Sequence, residues 1–317
     1  MVSDIQTNAR PTLIGASLNL YRRTIKRVKP LHGAAHWLLA HTLIPFLERW
    51  QRFETMPDDP FWFRLELLTN RHEGETTAHI RNLTRPGMTV LDIGGHVGYY
   101  TRLMSSLVGS SGRVITFEPH PRNMEVLRRN VASASNVTTL QVALAEREGT
   151  AVLHDYLMMS ASGSLHYDES IRDVQRAQIA EGDIAPRARD FQPQEFTVRT
   201  ARVDDLLAEQ GIQRVDVVKM DIEGAELGAL RGMQATIQRS PHLALVMEYN
   251  PLGLQAFGHN PADALQEVLA MGFQKLYLIQ PDATLTELTD NAAALQQLTE
   301  KLVQNMGVIN VLFVRQP

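Results

Sequence analysis

The stretch Val90-Leu91-Asp92-Ile93-Gly94-Gly95-His96-Val97-Gly98-Tyr99-Tyr100-Thr101 decides the reading of this chain. A short apolar strand ends in a carboxylate, bends through glycines and runs into a helix, the arrangement with which α/β proteins cradle a nucleoside-containing ligand. Without Cβ atoms, Gly94 and Gly95 let the chain turn sharply and bring its backbone close to a ligand, while Gly98 permits close helix packing. Asp92, Gly94, His96, Gly98 and Tyr99 are therefore candidate cofactor contacts. Tyr99 and Tyr100 have two uses, covering the ligand or packing the core.

Outward from this bend the pattern repeats. Short β-rich runs at 89–93, 113–118, 137–142, 214–220, 243–248, 273–279 and 308–314 alternate with helical stretches at about 97–108, 122–133, 225–238 and 261–271. Such alternation predicts an α/β fold with a doubly wound, mostly parallel sheet, and runs such as Val215–Met220 and Leu243–Met247 read as central strands covered on both faces. A second acid, Glu118, ends the next strand, where a carboxylate accepts hydrogen bonds from ribose hydroxyls. Ala143-Leu144 follows the third strand, either touching adenine through backbone or packing in the core.

Two regions stand apart. Residues 1–85 read as a helical N-terminal extension ahead of a catalytic domain at 86–317, because Trp37, Ala40, Ile44 and Leu47 recur at helical spacing and Leu39, Leu43, Phe46 and Trp50 widen the apolar face. So broad a face packs on the catalytic domain or on a second copy in a homo-oligomer. Joined to the basic run Tyr21–Lys29, residues 21–50 make the alternative, a peripheral contact with anionic membrane. The second region is a polar insertion at about 156–195, flanked by β-like runs at 150–154 and 196–200. Its middle, 168–181, reads as a charged helix; Ser160-Ala161-Ser162-Gly163-Ser164 at its mouth raises the alternative of a lid.

Composition narrows the function classes. The 317 residues carry a net charge of -4, which gives no global attraction to nucleic acid. No cysteine is present, so disulfides, thiolate metal sites and cysteine nucleophiles are excluded. The first residues lack the order of a secretory signal, and Leu31–Leu47 is too short and too interrupted to span a bilayer; cytoplasmic residence fits this composition.

Electrostatics selects the cofactor. Strand ends carry Asp92, Glu118, Asp221, Glu223 and Glu248, which attract a sulfonium and an ammonium and repel the pyrophosphate of NAD. The spacing Gly94-Gly95-His96-Val97-Gly98 also departs from Gly-x-Gly-x-x-Gly. S-adenosylmethionine (SAM) is the cofactor expected; an NAD-binding or non-catalytic protein on the same fold is the alternative.

Several motifs in order resemble the FkbM-type methyltransferases over roughly residues 73–280. Val90–Thr101 is similar to that family's cofactor signature, Phe117-Glu118-Pro119 to its second-strand acid, Arg202–Leu207 to its paired-acid segment, and Lys219-Met220-Asp221-Ile222-Glu223-Gly224-Ala225-Glu226 with Leu230-Arg231-Gly232 to its most specific motif. The resemblance implies a class I methyltransferase with a seven-stranded sheet, transferring methyl to oxygen on sugars or secondary metabolites. It also implies that Glu73 folds over the cofactor. His96 departs from the family, which usually has asparagine there.

Ligands bind beyond the carboxyl ends of the strands in open α/β sheets. Asp221, Glu223 and Glu248 are candidate general bases, with Lys219 lowering the acceptor's pKa or pairing an acid; Glu226 reads as a helix-dipole partner. A metal-assisted alternative places Mg²⁺ on Asp221, Glu248 and Asn250, where it would acidify a vicinal diol. The expected partner is a small hydroxylated molecule, with a protein or nucleic-acid methyltransferase as the alternative. Against that alternative, the chain lacks both the Asp/Asn-Pro-Pro-Tyr/Phe motif and a cysteine nucleophile.

Overall fold

The structure, a computed structural model, describes residues 29–155, 160, 163–166 and 194–316. It divides into two compact units, Met1–Arg52 and Phe53–Pro317. The described part of the first is one helix, α1 (Lys29–Gln51), with Pro45 inside it. Leu38, Phe46 and Trp50 are exposed on α1, and the Phe46 and Trp50 rings stack at 6.2 Å. Among the described residues no helix is long and apolar enough to cross a membrane. Residues 21–28 of the basic run, and the helix expected at 168–181, lie outside the described residues.

The second unit opens with α2 (Phe61–Leu68) and α3 (Gly74–Leu83). It continues through β1 (Thr89–Ile93), α4 (Tyr99–Val108), β2 (Arg113–Phe117), α5 (Pro121–Asn130) and β3 (Val137–Leu140). After β4 (Ala143–Leu144), β5 (Gly149–Asp155), β6 (Gly163–Ser164), β7 (Gln194–Ala201) and α6 (Val203–Glu209), the alternation resumes with β8 (Val217–Met220), α7 (Glu226–Arg231), α8 (Gln234–Arg239) and β9 (Ala244–Tyr249). The last elements are α9 (Pro251–Ala256), α10 (Pro261–Ala270), β10 (Lys275–Ile279), β11 (Leu285–Glu287), α11 (Ala292–Asn305) and β12 (Ile309–Val314).

The main sheet has the order β11-β10-β12-β9-β8-β1-β2-β3. Strands β3, β2, β1, β8 and β9 are parallel, and β12 inserts antiparallel between β9 and β10. Because β1 lies between β2 and β8, the strand order reverses beside it, and the crevice that opens at such a switch point is where doubly wound sheets bind ligands. Buried Leu91, Ile93, Ile115, Phe117, Val218, Met220, Leu245 and Met247 fill the core around these strands.

Three details depart from the sequence reading. The main sheet has eight strands, not seven, because β10 doubles back on β11. The turn between them closes through Gln280 N donating to Thr284 O at 2.9 Å, with Asp282 accepting from the Thr284 amide at 3.0 Å. The single helix expected at 225–238 is two, α7 and α8. A Cβ on Gly232 would lie 2.3 Å from Ala145 O, so only glycine fits there, and its carbonyl accepts the Asp204 amide at 3.0 Å in place of an amide of a further helical turn. The carboxylate of Asp204 accepts from the Ala235 and Thr236 amides at 3.0 and 2.7 Å and restarts the helix. Finally, the β-like runs flanking the insertion pair with each other, β5 antiparallel to β7 from Gly149↔Thr200 to Asp155↔Gln194. They form a second sheet of order β4-β7-β5-β6, and the insertion connects its two long strands.

Candidate active site

The parallel strands deliver their carboxyl ends to one edge, and a cavity of about 320 Å³ opens there. On the β1 side, Gly94 has φ 84° and a Cβ built on it would lie 1.9 Å from Asp221 O. Only glycine lets the bend pass the end of β8 in this way. A Cβ on Gly95 would lie 2.2 Å from Thr116 Cγ2. Gly98, at φ 92°, precedes the first residue of α4. Gly98 and Asp92 do not line the cavity. Asp92 is fully buried and accepts the Thr101 hydroxyl at 2.6 Å through Oδ2, while Oδ1 has no partner. Burial pushes its carboxyl up to about 6, although Lys219, its register partner on β8, pulls the other way.

Glu118 lines the cavity at the end of β2. Its carboxylate oxygens accept the His96 amide at 2.7 Å and the His120 amide at 2.8 Å. These bonds favour the ionised form, yet burial outweighs them and raises Glu118 to about 7. Ala143 and Leu144 border the same end, with Phe117 and Val142. His120 caps α5, accepting from the Arg122 amide at 3.2 Å, and its Nε2 contacts Asp155 at 3.2 Å, tying the second sheet to the end of β2.

Toward β8 the lining becomes ionic. Lys219 Nζ donates to Asp221 Oδ2 at 2.8 Å and lies 4.9 Å from the centre of the Tyr100 ring. Burial works against the Lys219 charge, but Asp221, Glu73 and Asp92 overcome it and hold the ammonium above its ordinary value. Asp221 is likewise disfavoured by burial as an anion, and Lys219 holds it below its ordinary value. Tyr100 donates its hydroxyl to Glu73 at 2.9 Å, so Glu73, just before α3, is brought against the cavity beside Tyr99, Tyr100 and His72. Burial pushes the Tyr100 phenol well above the ordinary tyrosine range.

Glu223, at φ 55°, and Glu248 on β9 complete this end. Burial, with Asp221 next, raises Glu223 to about 8 and Glu248 well above its ordinary value. Glu248 Oε2 is buried without a hydrogen-bond partner. One carboxylate oxygen from each of Asp221, Glu223 and Glu248 lies within 4.8 Å of the others, a set able to hold a divalent cation. Asn250, the other residue expected in that set, adjoins it: its Oδ1 accepts from Gly253 N at 2.9 Å and caps α9, and its amide donates to Glu223 at 3.3 Å. Glu226 is structural, accepting the Ile222 and Gly224 amides at 3.1 and 3.2 Å and so shaping the bend that carries Glu223.

Of the sequence-derived residues, Glu73, Gly94, His96, Tyr99, Glu118, Ala143, Lys219, Asp221, Glu223 and Glu248 meet around one cavity. Phe63, His72, His120, Asn123 and Ser160 also line it and were not foreseen as ligand contacts. His120 carried a local signal, since Pro119-His120-Pro121 marks a strand end running into a helix; Phe63, well ahead of the motif, carried none.

The glycine bend admits a ligand against backbone, Glu118 stands ready for a diol, and Glu73, Glu118, Asp221, Glu223 and Glu248 line the cavity together with Lys219, which pairs with Asp221. That donor set fits a nucleoside bearing positive charge, and on the β3-β2-β1-β8-β9-β12-β10 order it defines the class I SAM-dependent methyltransferases. The Methyltransferase FkbM domain matches residues 92–275, more than half of the chain, and the chain belongs to that family. Among curated relatives, Methyltransferase sdnD of Sordaria araneosa is 27% identical over 52% of this chain and 68% of its own length. The 2-O-methyltransferase NoeI of Sinorhizobium fredii is 26% identical over 50% of this chain and 62% of its own. The 31-O-demethyl-FK506 methyltransferase FkbM of Streptomyces tacrolimicus is 26% identical over 47% of this chain and 61% of its own. The chain thus spans about three fifths to two thirds of the length of these relatives.

Proposed function

We propose that this chain transfers a methyl group from SAM to a hydroxyl of a small molecule, a sugar, glycolipid or secondary metabolite. The observation that carries the proposal is the continuity of the cavity, which runs from Glu118 to the acids at the ends of β8 and β9. Relatives named for 2-O and 31-O transfer support oxygen as the accepting atom. Glu118 takes the ribose hydroxyls, the Gly94–Gly95 bend takes the nucleoside against backbone, and Glu73 with Tyr99 and Tyr100 encloses the amino-acid portion. The cofactor supplies an electrophilic methyl on a sulfonium centre, released to the acceptor oxygen as the S–C bond breaks and a neutral thioether is left.

The chain's own residues position the acceptor and take its proton. Positioning supplies up to about 7–11 kcal/mol of the barrier reduction, and a general base contributes about 10²–10⁴-fold. Asp221, held ionised by Lys219, is a weak base. Glu223, raised to about 8, binds a proton near neutral pH, as a base must; Glu248 is raised in the same direction by burial, and a cation beside either acid favours its carboxylate. Glu248 accepts the hydroxyl proton through its unpartnered Oε2, with Glu223 as the neighbouring acid through which the proton leaves. Lys219 lowers the acceptor's pKa by its charge.

The test is incubation with methyl-labelled SAM and a panel of sugars, glycolipids and phenols, with products read by mass and NMR. An O-methylated product is expected. Methyl found on nitrogen, or thermal stabilisation by NAD but not by S-adenosylhomocysteine, would refute the reading; at 100-fold over Kd a true ligand adds about 2.7 kcal/mol. A second reading is favoured by the close approach of Asp221, Glu223 and Glu248. In it a divalent cation there acidifies a vicinal diol. Turnover abolished by EDTA and restored by Mg²⁺ would establish that version, and turnover untouched by EDTA would remove it.

A further inference from the structure

His96 sits in the glycine bend at φ 49°, and its ring is held from behind by residues that belong to no cofactor motif. Ser160 makes two donations to Asp59, from its amide to Oδ1 at 2.7 Å and from its hydroxyl to Oδ2 at 2.6 Å. Asp59 is 6% exposed, and Asn123 fixes Ser160 from the other side by donating to its carbonyl at 2.8 Å. The Ser160 hydroxyl also contacts His96 Nε2. A hydroxyl has one proton, and here Asp59 takes it, so Ser160 Oγ meets His96 as an acceptor and Nε2 must carry the hydrogen. Burial, then the neighbouring His72, lowers the His96 imidazole to about 3, which keeps the ring neutral. A neutral imidazole with hydrogen on Nε2 has a bare lone pair on Nδ1.

That lone pair belongs to a residue lining the same cavity as Glu118, whose carboxylate also takes the His96 amide. Resting on the SAM reading above, we infer that His96 Nδ1 is a dedicated hydrogen-bond acceptor for a donor group of the bound nucleoside, its tautomer set by the Ser160–Asp59 pair. An asparagine at this position offers a donor and an acceptor and presents either by rotation. The imidazole locked by Asp59 presents an acceptor only, so it discriminates against a ligand that places an acceptor there. Asp59 and Ser160 are then positioning residues, lying away from the glycine motif and acting on the ligand through one ring.

Nitrogen-15 NMR of the histidines reads this directly in the wild-type protein, with the His96 signals assigned by their loss in His96→Asn. The apo protein should show hydrogen on Nε2 and none on Nδ1, and saturating S-adenosylhomocysteine should shift the Nδ1 signal upfield as it accepts a hydrogen bond. By calorimetry, His96→Leu should weaken S-adenosylhomocysteine by about tenfold, and Ser160→Ala by a smaller factor. His96→Asn, whose amide oxygen can still accept, should stay close to wild type. Hydrogen on Nδ1 in the apo protein, or an Nδ1 signal unmoved while S-adenosylhomocysteine binds, would overturn this inference and leave the methyltransferase reading standing. Failure of the wild-type protein to bind S-adenosylhomocysteine at all would overturn both.

Discussion

At the β1–β2 end the cavity is shaped by a glycine bend; at the β8–β9 end it is lined by a set of charged side chains. The first end is fixed by steric exclusion, since added Cβ atoms at Gly94 and Gly95 would overlap Asp221 O and Thr116 Cγ2. The second is fixed by charge, since Asp221 has Lys219 for a partner while Glu248 Oε2 has none. The contrast teaches where each kind of tolerance lies. Shape at the first end cannot change without moving the sheet, whereas at the second an acid without a partner, Glu248, can lose its charge with the fold intact and only the chemistry lost.

Substitution at the two ends should therefore fail in opposite ways. Gly94→Ala places a Cβ into the Asp221 carbonyl at a backbone angle that costs an alanine about 1–2 kcal/mol before any overlap. We expect no measurable S-adenosylhomocysteine binding by calorimetry and a lowered unfolding midpoint; wild-type affinity would break the comparison. Glu248→Gln removes an acid that burial already disfavours as an anion. Its midpoint should hold or rise and its S-adenosylhomocysteine affinity should stay within about threefold, while turnover falls by about 10²–10⁴-fold. Asp221→Asn sharpens the point from within the charged end. It removes the counter-charge of a lysine that is 3% exposed; breaking a fully buried pair costs about 3–5 kcal/mol, and the partial exposure of Asp221 keeps the loss below that. The denaturation midpoint of this variant should fall well below that of Glu248→Gln.

The same division decided what the sequence could disclose. The bend, its glycines and Glu118 were legible because backbone requirements are written as residue types at fixed spacing: an apolar strand, an acid, two glycines, a helix. Strands β1, β2 and β12 likewise announced themselves by their apolar runs. The break between α7 and α8 was not legible, because it depends on Ala145 and Asp204, which the chain brings from elsewhere. Nor were the uses of the carboxylates. Asp221, Glu223, Glu226 and Glu248 look alike as letters, and only their neighbours make Glu226 a loop clamp and Asp221 the partner of Lys219. The capping of α9 by Asn250 was hidden for the same reason.

Glu118 stands between the two ends, since its carboxylate is held by backbone amides yet faces the ligand. Glu118→Gln offers one acceptor oxygen in place of two, and the His96 and His120 amides compete for it. With hydrogen bonds to a charged group contributing about 1.5–3 kcal/mol, S-adenosylhomocysteine affinity should drop by about tenfold or more. An unchanged Kd would show that the nucleoside sugar is held elsewhere.

The smallest effect is in the pH dependence of the unliganded fold. Glu118 has its proton affinity raised in the folded chain from an ordinary 4.5 to about 7, so the native state keeps a proton that the unfolded chain has released. A group shifted in this direction contributes stability that is lost as pH climbs through its folded value. Glu226, also raised to about 7, and Glu223, raised to about 8, act in the same sense. His96 and His72 act oppositely, since burial lowers both, but their contribution saturates as pH passes above the ordinary 6.5 of the unfolded imidazoles. Between pH 6.5 and 8 the carboxyls are thus left to govern, and the melting temperature of the apo protein should decline as pH rises. Glu118→Gln cannot release a proton and should flatten that decline by about 1 kcal/mol, or about 2–4 °C, in scanning fluorimetry. Saturating ligand should flatten it too, because ribose hydroxyls donating to Glu118 favour its carboxylate. If the apo melting curve is level across this range, or if Glu118→Gln leaves its slope unchanged, Glu118 carries no buried proton at neutral pH.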